Sequence, residues 1–124
     1  MLSKSTVSAC IPVSDVQRAR KFYESTLGLK VKQETPGGTM FECGNASTLF
    51  VYPSGGAGTN KATTATWNVS DIHAAVADLK SKGVSFEEYD MPGLKTEDGI
   101  ATTGNAKAAW FKDTEGNILG IVQM

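Results

Sequence analysis

The sequence predicts an α+β fold made of two similar halves, each running strand-helix-strand-strand-strand. The first observation is an internal repeat: VSDV at 13–16 recurs as VSDI at 69–72, 56 residues later. The second is that alternating segments, TVSACIPV and TTATWNV, precede the two copies, as expected of strands with one buried face. The third is that each copy opens a helical pattern that ends at a glycine. Agreement in the order of the elements favours duplication over a chance match.

Each predicted helix has a start signal, an apolar face and a stop signal. The Ser-Asp pairs at 14–15 and 70–71 supply N-caps, and their carboxylates lie near the positive end of the helix dipole. Gly28 and Gly83 are placed to cap the C-terminal ends. Residues at helical spacing form the apolar faces: Val16, Ala19, Phe22, Tyr23 and Leu27 in the first helix, and Ile72, Ala75, Val76 and Leu79 in the second.

Three short strands are predicted after each helix. In the first half they are LKVKQE, TMFEC and STLFVY, and in the second VSFEEYD, KAAWFK and NILGIVQ. Residues 1–53 and 62–124 then form two modules of a single domain, joined by a Gly-rich flexible linker at 54–61. The halves differ most at 91–105, a long polar insertion that we interpret as either a lid or a disordered tip.

Composition excludes several classes of protein. The chain has 124 residues, the size of one domain, with 40% hydrophobic and 20% charged residues, as in globular proteins. A net charge of -1 without a basic stripe argues against nucleic-acid binding. No long apolar run or secretion signal is evident, so we expect a cytoplasmic protein without membrane contact. The lone His73 is expected to face solvent, and Cys10 and Cys43 are expected to be reduced thiols.

Two stretches resemble a known family. VSDVQRARKFYESTLGL at 13–29 combines a V-x-D helix start with an FY-x3-LG helix end, and WFKDTEGNILGI at 110–121 carries F-x-D-x-x-GN before the last strand. Together they are similar to the vicinal oxygen chelate superfamily, which includes glyoxalase I, extradiol dioxygenases and bleomycin-resistance proteins. The resemblance covers essentially the whole chain. It implies a glyoxalase-like fold, in which two βαβββ modules form curved sheets around a cup and carry their helices outside.

The resemblance also implies four cup positions where metal-using members place His, Glu or Gln. These positions correspond here to Ser8 and Thr64 on the first strand of each module, and to Phe50 and Gly120 on the last. None of the four is a suitable ligand, and a shift of two residues brings in only hydroxyl, thiol or apolar side chains. We therefore expect no metal and no other cofactor, and we do not expect the glyoxalase I, extradiol dioxygenase or fosfomycin thiol-transferase activities of metal-using members.

A cup without metal offers a mixed aromatic and hydroxyl lining, which suits a small organic ligand. Gly120 is expected to leave room on the cup floor, and Trp110 lies either in the cup or against a helix. The acidic run at 87–90, with Glu97 and Asp98, is either a rim that favours a cationic ligand or a solvated edge. The predicted ligand-binding residues are Ser8, Cys10, Phe50, Tyr52, Thr64, Thr66, Asn68, Trp110 and Gly120.

Three functional hypotheses follow. The first is a metal-free protein, similar to the bleomycin-resistance branch, that sequesters or senses a small organic ligand, as a homodimer like many family members. The second is a metal-independent lyase or isomerase that uses Asp90, Glu97 or Asp98, provided that the insertion folds over the cup. The third is a partner-binding protein with a collapsed cup. We interpret Cys10 as a packed thiol rather than a nucleophile, because no base or cation is evident near it.

Overall fold

The computed structural model describes residues 1–124 and contains ten strands, two α-helices and short 3-10 and π-helical segments. In the first half the elements are β1 Ser8–Val13, α1 Val16–Lys21, a π-helical turn Phe22–Thr26, β2 Lys30–Thr35, β3 Gly38–Glu42 and β4 Thr48–Pro53. In the second half they are β5 Thr63–Asn68, α2 Ile72–Ser81, β6 Asp90–Met91, β7 Leu94–Glu97, β8 Ile100–Thr103, β9 Ala106–Lys112 and β10 Ile118–Gln123. The 3-10 helices are Leu2–Lys4 and Gly44–Ala46.

The strands form two sheets, with orders β1-β4-β3-β2 and β5-β10-β9-β8-β7-β6. In each sheet the first strand of the module pairs in parallel with the last, and the remaining neighbours are antiparallel. The glyoxalase-like α+β fold predicted from the sequence is therefore confirmed.

The strand register shows the internal duplication directly. Cys10 pairs with Phe50 across β1 and β4, and Thr66 pairs with Gly120 across β5 and β10. Cys10 and Thr66, the first-strand members of the two pairs, are 56 residues apart, which is the offset of the VSDV/VSDI repeat. Gly120 is thus the structural counterpart of Phe50, as the sequence alignment of the two halves predicts.

Both helices begin where the sequence predicts. The Asp15 carboxylate accepts a hydrogen bond of 3.0 Å from the Arg18 backbone N–H, and Asp71 accepts one of 3.1 Å from Ala74. Gly28 and Gly83 have φ of +74° and +91°, the left-handed conformation that glycine adopts readily after a helix.

The first helix is one residue longer than the second between its N-cap and its closing glycine. The structure accommodates the extra residue in the π-helical turn at Phe22–Thr26. This wider turn brings Tyr23 into the core, where its ring lies 5.9 Å from that of Phe41.

One hydrophobic cluster joins the two modules beneath the helices. Each fully buried Leu, Ile or Phe in it contributes roughly 2 kcal/mol of burial free energy. The cluster contains Ile11, Val13, Ala19, Tyr23, Phe41, Leu49 and Val51 from the first half, and Ile72, Val76, Ile100, Ala109, Phe111, Leu119 and Ile121 from the second. Alternation along the strands places their intervening residues on the opposite face of the sheets.

The predictions for residues 84–105 are wrong. The run at 84–90 is not a full strand, since Phe86 makes only an isolated bridge to Phe111. The polar insertion at 91–105 is neither a lid nor a disordered tip, because it supplies β7, β8 and part of β6. Its polar composition conceals these strands, which turns connect and which pair in succession, β8 with β9, β7 with β8 and β6 with β7. Strand β8 takes the place in the second sheet that β2 takes in the first.

A buried polar turn, residues 113–117, links the two modules, and we call it the inter-module turn. The Asp113 carboxylate accepts hydrogen bonds from the Tyr23 hydroxyl (2.7 Å) and the Asn117 amide (2.9 Å). The same amide donates to the Pro12 carbonyl at 2.7 Å, and its oxygen accepts from the Gly58 N–H at 3.1 Å. The turn therefore contacts the first helix, strand β1 and the linker between the modules.

Glu115 is the charged centre of this turn. Its carboxylate accepts six hydrogen bonds, from the Ser14 N–H and hydroxyl, the Asp15 N–H, two Arg18 nitrogens and the Thr114 hydroxyl. Its side chain is 0% exposed, whereas that of Arg18 is 52% exposed. Hydrogen bonds, first from Arg18 and then from its other donors, hold the pKa of Glu115 well below its usual range.

Candidate functional site

The face of the sheets opposite the helices carries most of the residues predicted to bind a ligand, and we call it the cup face. In the first module it presents Ser8, Cys10, Phe50 and Tyr52. The Phe50 and Tyr52 rings stack with centroids 6.1 Å apart and planes 8° apart. The Ser8 hydroxyl is hydrogen bonded to the hydroxyl of Thr48 on the neighbouring strand. This half of the face combines aromatic area with a small polar group.

The second module completes the face with Thr66, Gly120 and Trp110. Trp110 pairs with Gly120 across β9 and β10, while its neighbour Phe111 is buried beneath the helices. The alternative that sequence left open is thereby decided, and Trp110 lies on the cup face. Its ring meets that of Tyr89 edge-on, with centroids 5.6 Å apart.

Thr64 is not the counterpart of Ser8 that a constant offset predicts. The pairing of β5 with β10 shifts register between Thr63 and Ala65, so Thr64 occupies a bulge with no Cα partner. Thr63 pairs with Ile118 instead, and its methyl group approaches the Cβ position of Gly120. Bulges depend on pairing between strands, which the alternation within one strand does not reveal.

Gly120 does not open a hollow in the cup floor, contrary to expectation. A Cβ built there would lie 3.3 Å from Thr66 Oγ1, 3.4 Å from Thr63 Cγ2 and 3.4 Å from Trp110 Cδ1. The contact with Thr66 is tighter than usual packing, and the other two lie at the short end of ordinary van der Waals contact. The glycine instead lets neighbouring side chains close over the strand, and its backbone φ is not positive.

A cavity of about 360 Å³ opens at the seam where the edge strands β1 and β5 of the two modules adjoin. Asn68 and Thr66 belong to its lining, together with Trp67. Away from the seam the cup face is also uncovered, since Cys10 is exposed. Sequence reasoning missed this cavity because it depends on how two strands distant in the chain meet.

The residues of the cup face do not fit a catalytic metal ion. No group of three or more His, Cys, Asp or Glu side chains in the structure is placed to hold one. At the positions where the family resemblance implies metal ligands, Ser8 has a hydroxyl group, Phe50 has an aromatic ring and Gly120 has no side chain. Divalent ions of the expected type need imidazole or carboxylate donors.

The carboxylates of the alternative enzymatic hypothesis do not converge on the cup face. Glu97 pairs with Ile100, whose side chain is in the core beneath the helices, so Glu97 has the helix-side orientation. Together with Asp98 it lines a shallow cavity of about 250 Å³ near His73 on α2. Asp90 is exposed at the far edge of the second sheet.

The acidic rim is partly neutralised by its neighbours. Glu87 forms an ion pair of 3.4 Å with Lys112, and both side chains are partly exposed. This arrangement matches the interpretation of the 87–90 run as a solvated edge. His73 is exposed, as predicted.

The two thiols differ in environment. Cys10 is exposed on the cup face, so its interpretation as a packed thiol is wrong, whereas Cys43 is partly buried beside the seam cavity. Burial raises the pKa of Cys43, so this thiol stays protonated near neutral pH. No disulfide joins them.

Comparison with known proteins gives the family. The model of the Glyoxalase/Bleomycin resistance protein/Dioxygenase superfamily matches residues 6–121. The chain belongs to this superfamily. No curated protein matches it. None of the helices is both long and apolar enough to cross a membrane.

Several solved structures share this superfamily fold across nearly their full lengths. UcmS2 superimposes with a TM-score of 0.76 at 16% identity, covering 95% of this chain and 96% of its own. TnmS3, an antibiotic-binding protein from Streptomyces sp. CB03234, gives 0.66 at 22% identity, with 99% and 98% covered. A lactoylglutathione lyase from Agrobacterium tumefaciens gives 0.67 at 16% identity, with 97% and 93% covered. The fold is thus shared with a protein named for binding and with one named for catalysis.

Proposed function

We propose that this member of the superfamily binds a small organic ligand on its cup face and does so without a metal ion. The observation that carries the proposal is the composition of that face. It presents the stacked Phe50 and Tyr52 rings and the Trp110 indole beside hydroxyl groups, and no cluster of imidazoles and carboxylates is placed there to hold a metal. TnmS3, with the same fold, is named an antibiotic-binding protein, which supports a sequestering role.

Aromatic rings on the cup face would supply affinity for the ligand, and short polar groups beside them would supply its orientation. Partly exposed aromatic rings provide apolar area that a planar ligand can cover, and offset stacking adds about 1 kcal/mol for each ring pair. Ser8, Cys10 and Thr66 offer short polar groups that orient the ligand without a charge requirement. A sequestering or sensing protein needs this affinity and no acid or base.

We further propose that the binding form is a homodimer. The cup face of one chain is open to solvent, and a ligand bound there would keep one side in water. Ligand pockets usually enclose most of their ligand's surface. A second copy placed over the face would supply the missing wall, while a cytoplasmic location stays a prediction from the sequence.

The test uses Trp110 as a reporter. In a Trp67→Phe background, Trp110 is the sole tryptophan, because the chain has two. We expect saturable quenching of its fluorescence by at least one of 1-naphthol, a naphthalene carboxylate and a cationic glycopeptide. Phe50→Ala should weaken that binding about tenfold, through loss of one aromatic contact. Thr102→Ala, an exposed change on β8, serves as the matched control.

Two results would contradict the proposal. One is the absence of saturable quenching by any probe, and the other is equal binding by the Phe50→Ala variant. Metal analysis after incubation with Zn²⁺, Ni²⁺ and Mn²⁺ and desalting tests the metal-free claim separately. A tightly held ion at one per chain would refute that part. Size-exclusion chromatography with light scattering measures the dimer.

A further inference from the structure

The seam between the modules is asymmetric, although the modules themselves are duplicates. At one end the inter-module turn fills the space, where Glu115 and Asn117 bind the end of β1 and the linker. At the other end lies the cavity of about 360 Å³, and the β3–β4 connection contributes Asn45 and Ser47 to its lining. The chain therefore closes one end of its own seam and leaves the other end hollow.

The lining of this seam cavity is uncharged and combines apolar with neutral polar groups. Its apolar wall is formed by aliphatic side chains and the Trp67 indole, and its polar groups are amides, hydroxyls and one thiol. No charged side chain is present in the lining, which comprises Val7, Ala9, Cys43, Gly44, Asn45, Ser47, Thr48, Leu49, Ala65, Thr66, Trp67 and Asn68. Because burial raises the pKa of Cys43, the thiol adds no charge near neutral pH.

We propose that the seam cavity is a second binding site, which adjoins the cup face at Thr66 but contains none of its three aromatic rings, for a compact uncharged aromatic molecule that carries an amide or hydroxyl group. Transfer of a charged ligand from water into this cavity would be unfavourable, because no lining side chain carries an opposite charge to pair with it. An uncharged ring instead packs against Trp67, while the amides of Asn45 and Asn68 offer both donors and acceptors. The volume lies at the lower end of the range for small-molecule sites.

The two tryptophans allow this site to be tested apart from the proposed function. Trp67 lines the seam cavity, whereas Trp110 lies on the cup face. The probe is benzamide, followed by the indole N–H signals in ¹H–¹⁵N NMR spectra. We expect the Trp67 signal and the Asn68 side-chain amide to shift in a saturable way, with a Kd of about 1 mM for so small a molecule. Benzoate and benzylammonium, of the same shape, should bind at least about tenfold more weakly.

Two variants keep the test independent of folding. Ala9→Leu places extra volume in the cavity, and Asn68→Asp places a charge there at an exposed position that tolerates it. Each should weaken benzamide binding at least about fivefold, provided that the spectrum stays dispersed. Phe50→Ala, which alters the cup face, should leave the Trp67 response intact.

An unmoved Trp67 signal up to the solubility limit of benzamide would overturn the second site. Equal binding of benzamide by both cavity variants and the wild type would do the same, as would equal affinity for the charged analogues. Loss of the Trp110 response to the cup-face probes bears only on the proposed function, so failure of one proposal is distinguishable from failure of the other.

Discussion

Replacing Glu115 with glutamine tests whether the inter-module turn stabilises the fold through its buried charge. The carboxylate is fully enclosed and accepts six hydrogen bonds. Glutamine keeps the shape but has one acceptor oxygen, and its NH₂ group faces donors. Hydrogen bonds to a charged group contribute about 1.5–3 kcal/mol each, and breaking a buried charge network typically lowers stability by about 3–5 kcal/mol. We expect Glu115→Gln to lower the free energy of unfolding by about 3 kcal/mol.

Arg18→Ala is the matched comparison, because it removes one partner and leaves the backbone donors of Ser14 and Asp15 in place. The Arg18 side chain is 52% exposed, so solvent screens its interaction with the carboxylate. Its loss should therefore lower stability clearly less than Glu115→Gln does. Equal losses would mean that the ion pair, and not the enclosed carboxylate, provides the stabilisation.

The pH dependence gives a second measure of the same effect. The folded-state pKa of Glu115 lies below its ordinary value of 4.5, so its stabilisation is complete above that pH and declines as pH falls towards the folded-state pKa. At about 1.4 kcal/mol per pH unit, the difference between wild type and Glu115→Gln should shrink by about 2 kcal/mol between pH 7 and pH 3.

Urea unfolding followed by circular dichroism at both pH values provides the free energies. A difference below about 0.5 kcal/mol at pH 7 would refute the reasoning, since that is the range of neutral surface substitutions. So would a difference that is unchanged on acidification, because it would show that the charge contributes nothing.

Three further predictions concern single positions. Gly120→Ala should lower the free energy of unfolding by about 1 kcal/mol, because its Cβ meets three neighbours at 3.3–3.4 Å. Gly55→Ala, in open space, should leave stability unchanged or raise it slightly, and equal denaturation midpoints for the two variants would contradict this. Tyr23→Phe should lower it by about 1.5 kcal/mol, since the hydroxyl donates a buried 2.7 Å hydrogen bond to a carboxylate, and an unchanged midpoint would show that water replaces it. A thiol-reactive chromophore should label the exposed Cys10 well before Cys43, because burial raises the pKa of Cys43. Peptide mapping measures the order of labelling, and the reverse order would contradict the structure.

The sequence by itself determined the features that depend on near neighbours. Helix starts at Asp15 and Asp71 follow from capping chemistry, and helix ends at Gly28 and Gly83 follow from left-handed glycine geometry. Strand alternation placed Phe50 on the face opposite the helices. The family motifs extended these local features to the two-module fold.

Only the tertiary structure decided what depends on pairing between distant segments. The strands at 90–103 form despite a polar composition because each has a neighbouring strand to bond to: β8 pairs with β9, β7 with β8 and β6 with β7. The bulge at Thr64, the side chains that close over Gly120, and the enclosure of Glu115 all arise where separate strands or modules meet. Periodicity along one segment shows which residues share a face. It does not show what lies opposite that face, and the seam cavity exists only because β1 and β5 meet there.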